Sequence, residues 1–323
     1  MNKLFLYSCV LMLVLSNTLK AQTTQDDAIY FADPTIFHHK NKFYLCGTNG
    51  FNSDSGFYMA VSDDLQHWEK TTGNKRVLSK GESFGTKGFW APQLFAHHNK
   101  IYMAYTANEN IAIAESDAPE GPFKQNIFTR LAAPVKQIDP YIFKDDDGKL
   151  YLYHVRLQDG NRIFGAALKD DLSAIDSSNL RECISAVINP QSWENTQSVK
   201  WTVTEGPTVL KRGKKYYMFY SANDFRNPGY AVGYATADHP LGPWKKSEQN
   251  PIISRQMTGI NGPGHGDIFT DDKGTMYYVF HTHNSNEKVA PRRTAIIKIS
   301  FEGKAGYEKI RVDKASFRYL KYE

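Results

Sequence analysis

Ala32-Asp33-Pro34-Thr35-Ile36-Phe37 and Ile138-Asp139-Pro140-Tyr141-Ile142-Phe143 are two copies of one pattern, and Thr204-Glu205-Gly206-Pro207-Thr208-Val209-Leu210 reads as a third. Each leads through a polar turn into an aromatic run: Lys42-Phe43-Tyr44-Leu45, Lys149-Leu150-Tyr151-Leu152 and Lys215-Tyr216-Tyr217-Met218. Ala91-Pro92-Gln93-Leu94-Phe95 with Lys100-Ile101-Tyr102-Met103, and Gly266-Asp267-Ile268-Phe269 with Thr275-Met276-Tyr277-Tyr278, complete five copies. They recur at intervals of roughly 50 to 65 residues, a period suited to propeller blades. Apolar run, polar turn and aromatic run form a hairpin signature. A third run follows, as in Tyr230-Ala231-Val232-Gly233-Tyr234, and Trp68, Phe123 and Trp244 mark a short fourth strand. With no long helical period between copies, the reading is an all-β, five-bladed β-propeller with four antiparallel strands per blade.

Composition agrees with that architecture. The chain has 323 residues, 41% hydrophobic and 13% aromatic, enough to bury a large core of stacked sheets. No Pro/Ser-rich linker or long like-charge run divides it, so residues 22–323 read as a single catalytic domain. The tail beyond Gly303 alternates Ile310, Val312, Phe317 and Tyr319 near period two, predicting a closing or outer strand. Residues 1–21 have the layout of a signal peptide, with Lys3, an apolar run from Leu4 to Leu15, and Leu19-Lys20-Ala21 before a polar stretch. The run is too short to span a bilayer, so the chain is expected to be exported, periplasmic or secreted, with no membrane span.

Removing Lys3 and Lys20 lowers the formal charge from +5 to +3, and the remaining basic residues are scattered singly, so no nucleic-acid partner is implied. Cys46 and Cys183 lie in different copies and read as free and buried. His38, His39, His97 and His98 fall in turns without ligand spacing and read as solvated.

If the five copies surround an axis, acids in matching slots converge. Asp33 and Asp139 each precede proline, which favours extended backbone there. With slot atoms about 4 Å from the axis, acids two blades apart lie about 7.6 Å from each other and neighbours about 4.7 Å. The longer chord falls in the window that leaves room for a water between two carboxylates, hence inversion at a glycosidic carbon. The shorter one sets two carboxylates close enough that one pKa is pushed upward, as a general acid requires. Glu205 then reads as the general acid, Asp139 as its pKa modulator and Asp33 as the general base.

The segments Ala32-Asp33-Pro34, Asp139-Pro140, Glu205-Gly206-Pro207 and Phe89-Trp90-Ala91-Pro92 resemble those of glycoside hydrolase family 43, the five-bladed arabinofuranosidases, xylosidases and arabinanases. The resemblance runs from about Phe31 to Phe301. It implies the same three acid roles, a substrate-binding Trp90, and an arginine of Val289-Ala290-Pro291-Arg292-Arg293 that reaches the sugar and the modulator acid, here taken as Arg292 with Arg293 as the alternative. Gly264-His265-Gly266-Asp267 is similar to the segment in which family members place an axial histidine, often beside calcium. That makes His265 a candidate ligand of a structural calcium, with a hydrogen-bonded histidine without metal as the alternative; no cofactor is required.

The expected activity is exo-acting release of terminal α-L-arabinofuranosyl or β-D-xylosyl residues from plant polysaccharide side chains, with carbohydrate as the only partner. A galactofuranosidase, a galactan- or arabinan-cleaving relative, and a non-catalytic carbohydrate-binding propeller are the alternatives. A lectin needs no proton donor beside a second carboxylate, and a retaining sucrose-type hydrolase would carry an Asn-Asp-Pro-Asn-like segment where Ala32-Asp33-Pro34-Thr35 stands. Phe51, Trp193 and Phe225 lie in loops expected to rim the pocket.

Overall fold

The structure, a computed structural model, describes residues 27–323 apart from 72, 74, 305 and 307. The expected signal peptide lies outside the described residues. Five sheets surround an axis, and four of them have four antiparallel strands in simple sequential order. The innermost strands are Phe31–His39, Trp90–His97, Gln137–Lys144, Thr204–Arg212 and Gly264–Thr270, one per blade. Among the described residues, helical elements are Arg255–Thr258 and a 3₁₀ turn, Ser177–Asn179. In the second blade the fourth strand is reduced to a single bridge between Glu115 and Lys124, with Phe123 fully buried beside it.

The hairpin turns carry the backbone that tight β-turns demand. Lys40 and Asn41 have φ of 49° and 61° between the paired His39 and Lys42. Two consecutive left-handed residues make the type I′ turn whose twist matches the flanking strands. Asn108 and Glu109, at 51° and 54°, repeat it in the second blade.

Apolar side chains gather between blades. Tyr44, Cys46, Phe57 and Met59 of the first blade pack against Leu94, Met103 and Tyr105 of the second, and four further clusters fill the remaining seams. Fully buried residues such as Trp68, Phe219 and Phe280 each contribute about 1.5–3 kcal/mol by leaving water. The ring closes through both ends of the described chain. Lys309–Tyr319 is the outermost strand of the fifth blade, as the tail pattern predicted. The N–H groups of Ile29 and Tyr322 bond the carbonyls of Leu320 and Asp27, and that of Glu323 reaches Trp68 in the first blade. The two cysteines among the described residues are free; Cys46 is buried and Cys183 only half-buried. His97 is buried rather than solvated, its Nε2 2.7 Å from the Asp170 carbonyl oxygen.

Candidate active site

Every innermost strand is interrupted at the same place. The ladder register slips between Ala32 and Thr35, Trp90 and Gln93, Ile138 and Tyr141, Glu205 and Thr208, and Gly264 and Gly266. At each slip one residue is left-handed: Asp33 (φ 49°), Ala91 (44°), Asp139 (55°), Gly206 (58°) and His265 (42°). These five bulges aim their residues at the axis. Two expectations are corrected here. Asp33 and Asp139 are not extended, because the bulge demands positive φ and aspartate tolerates it. Glu205 is not in the slot: Gly206 is, and Glu205 occupies the preceding position, matching Ala32, Trp90, Ile138 and Gly264 in the other blades.

Five-fold geometry also organises the slot backbone. The residue opposite the pre-slot position, on the second strand of each blade, accepts the slot N–H of the next blade. Thr48 accepts from Ala91 at 2.9 Å, Thr106 from Asp139 at 3.0 Å, Ser221 from His265 at 2.8 Å, and His281 Nδ1 from Asp33 at 3.1 Å. In the third blade that position is Val155, which has no acceptor. The N–H of Gly206 turns instead to Asp139 Oδ2 at 3.3 Å. One departure from the pattern therefore ties a backbone donor to the central carboxylate.

Asp33 is the most heavily supported acid. Arg292 donates from Nη1 to Oδ1 at 2.9 Å and from Nη2 to Oδ2 at 3.4 Å, and Thr48 Oγ1 donates to Oδ2 at 2.7 Å. Burial alone would raise its pKa, but Arg292, then His265 and His281, hold it well below the ordinary value. Asp33 is thus a carboxylate at any moderate pH. Arg292 is the inward-facing arginine, while Arg293 lies over the Tyr319 ring. The fork falls on Asp33 and not on Asp139, a correction to the partner that the resemblance implied.

The other two acids are pushed the opposite way. Burial, then the charges of Glu205 and Asp33, raise Asp139 well above the ordinary range. Burial pushes Glu205 up to about 7; hydrogen bonds from Tyr230 and Asn161 moderate the rise while Asp33 adds to it. Tyr230 Oη donates to Oε1 at 2.8 Å, and Asn161 Nδ2 to Oε2 at 3.1 Å. Near neutral pH the site holds one firm carboxylate and a pair inclined to keep a proton. That is the division of labour an acid and a base require.

His265 stands between the acids, Nδ1 3.4 Å from Asp33 Oδ1 and 3.8 Å from Asp139 Oδ2. Its ring packs on Gly206, where a Cβ would come within 2.7 Å. Thr35, Gln93, Tyr141 and Asp267, two residues beyond the slots, line with the slot residues a cavity of about 20 Å³, room for about one water. Calcium takes six to eight oxygens. On the Nδ1 side Asp33 Oδ1 and Asp139 Oδ2 already accept from Arg292 and the Gly206 N–H, and the two Asp267 oxygens accept 2.6 Å bonds from Thr35 and Thr208. These residues leave few free oxygens for calcium, so an ion on His265 would take its shell from water, whereas the ring as it stands has its Nδ1 beside the Asp33 and Asp139 carboxylates.

Trp90 is half-buried at the pre-slot position of the second blade, its Nε1 3.4 Å from Ser53 Oγ. Of the three loop aromatics, Phe225 approaches the site, with the Arg292 guanidinium 4.4 Å from its ring centre. Trp193 is buried and bonds Gln191, while Phe51 is exposed and meets Tyr30 edge-on. His281, Tyr230, Asn161, Thr48 and Ser221 carry no sequence motif; only a second strand ending in a polar residue at Thr48, Thr106, Ser221 and His281 gave a signal.

Known proteins place this arrangement in context. A solved endo-1,4-β-xylanase of Bacteroides thetaiotaomicron VPI-5482 superposes with a TM-score of 0.83 at 38% identity, over 92% of this chain and 98% of that one. A thermostable family-43 glycoside hydrolase superposes at 0.78 with 33% identity, over 88% and 92%. A β-D-galactofuranosidase of Aspergillus niger is 24% identical over 86% of this chain and 81% of its own length. A xylosidase/arabinosidase of Butyrivibrio fibrisolvens is 25% identical over 77% of this chain, which spans 48% of that relative. The model of glycosyl hydrolases family 43 matches residues 28–304, from just before the first inner strand to the third strand of the fifth blade. With the bulged acids of three blades converging inside that span, the chain belongs to glycosyl hydrolase family 43.

Proposed function

We propose that this family 43 glycoside hydrolase is an exported, inverting, exo-acting enzyme that removes terminal α-L-arabinofuranosyl or β-D-xylosyl residues from plant polysaccharide side chains, with no cofactor required. The observation that carries the reading is the opposed protonation of Asp33 and Glu205. Asp33, held ionised by Arg292, takes a proton from water as the water oxygen bonds the anomeric carbon. Glu205, protonated up to about pH 7, gives its proton to the leaving glycosidic oxygen as that bond breaks. Asp139 disfavours a second charge beside Glu205 and so keeps the proton on the acid pair. Arg292 and Trp90 border the sugar.

Relatives named as xylosidase/arabinosidase and the two-blade separation of base and acid support the pentose and the inversion. Galactofuranose is the second reading, favoured by the similarity to the Aspergillus niger enzyme. The test is hydrolysis of aryl glycosides of arabinofuranose, xylose, galactofuranose and galactopyranose, with xylan and arabinan alongside. Pentoside turnover that is lost in Glu205→Ala and Asp33→Ala supports the proposal; turnover of a polymer alone, or of galactofuranoside alone, replaces it.

A further inference from the structure

Trp201 is 51% exposed, and nothing in the core explains it. Its position is nonetheless fixed. Nε1 donates to Asn161 Oδ1 at 2.9 Å, and the same Asn161 donates from Nδ2 to Glu205 Oε2 at 3.1 Å. One amide therefore clamps an open indole and the acid carboxyl to each other. Beyond the indole lies a groove of about 500 Å³ between segment 194–203 and loop 223–227, a volume in the range of small-molecule sites. Val199 and Trp201 give it an apolar wall; Gln197, Asp224 and Arg226 give it a polar one. Arg226 forks onto Asp224 at 2.7 and 2.6 Å, so the two charges answer each other and the groove favours no ion.

We propose that this groove is the leaving-group subsite, holding the neutral sugar units on the far side of the cleaved bond, with Trp201 as their stacking platform. The inference rests on Glu205 being the acid. An acid protonates the leaving oxygen, so the leaving group lies on the acid's side of the site, and on that side the Asn161 amide links Glu205 to Trp201 at the wall of the groove. An indole face against the C–H face of a pyranose, beside a polar wall for its hydroxyls, is the chemistry of a neutral oligosaccharide. Trp201 is then a specificity-determining residue: it matters when the leaving group is a sugar and little when it is a single atom.

The test compares the disaccharide and trisaccharide of the accepted glycone with its glycosyl fluoride, in wild type, Trp201→Ala and Trp201→Phe. Trp201→Ala is expected to lower kcat/KM on the oligosaccharides on the order of 10- to 100-fold, the scale of losing one pocket contact, and on the fluoride far less. Trp201→Phe keeps a ring face without the N–H, and should recover most oligosaccharide activity with an unshifted pH profile. Equal losses on both substrates, or a Trp201→Phe enzyme with a displaced alkaline limb, would show that Trp201 only props Asn161; no loss on either would make it a surface residue. Wild-type turnover of the fluoride tests the reading of the acids separately. Should wild type hydrolyse neither, calorimetric titration with xylo- and arabino-oligosaccharides decides: binding weakened at least about tenfold in Trp201→Ala upholds the groove, and unchanged or absent binding overturns it.

Discussion

Replacing Glu205 by Gln should make the protein more stable relative to wild type as the pH rises, although it removes the residue read as the acid. An unfolded glutamate loses its proton near 4.5, whereas buried Glu205 keeps it to about 7. The folded state therefore binds this proton more tightly, and the stabilisation that protonation supplies is complete below about 4.5 and lost as the pH climbs through about 7. Above that, wild type must bury a second charge among Asp33, Asp139 and Glu205. Two and a half units at about 1.4 kcal/mol each give about 3 kcal/mol, or about 5 °C in melting temperature for a domain of this size. Gln carries no such charge. The assay is thermal unfolding of both proteins from about pH 5 to about pH 8.5, and the quantity is the change in their Tm difference, which cancels any fixed cost of placing an amide against Asn161 and Tyr230. A Tm difference that stays constant across that range would refute the claim that Glu205 is held protonated by its surroundings.

Other perturbations follow from the same geometry. Asp33→Asn removes the base and should cost about 10²- to 10⁴-fold in kcat, read by steady-state kinetics on the active glycoside. Arg292→Ala removes the cation that holds Asp33 down, so the acid limb of the pH–rate profile should move upward; an unmoved limb contradicts that role. Val155→Thr supplies the hydroxyl that three other blades have at this position, drawing the Gly206 N–H from Asp139. Asp139 then holds its proton more firmly, and the alkaline limb is expected to move down by roughly one unit, the scale of one hydrogen bond to a charged group. Gly206→Ala forces a Cβ to within 2.7 Å of the His265 ring at φ 58°; a loss of at least about 2 kcal/mol in denaturant unfolding is expected.

The fold was legible because the blades repeat the same local physics: an inner strand that bears proline in four of the five, a polar turn and an aromatic second strand. Asp33 and Asp139 were legible for the same reason, since Asp-Pro recurs where the bulge recurs. Glu205 was found through the same proline but misplaced by one residue, because Glu-Gly-Pro and Asp-Pro look alike until the left-handed φ of Gly206 shows which residue bulges. Of the supporting shell only Arg292 was singled out in the sequence, and not its partner Asp33. His281 meets Asp33 across 248 positions and Arg292 across 259, and only closing the ring brings the fifth blade against the first. Asn161 and Tyr230 reach Glu205 from loop-adjacent positions with no repeat partner. The mixed environment of the three acids, which decides their protonation, comes from these residues.

The central claim is that Asp33 activates water on one face of the sugar while Glu205 protonates the leaving oxygen on the other. Proton NMR of the first-formed product, recorded during hydrolysis of the accepted glycoside before mutarotation sets in, tests it most directly. The account predicts that the opposite anomer of the substrate appears first and that Asp33→Ala abolishes its formation. First appearance of the retained anomer, or its undiminished formation without Asp33, would contradict the account.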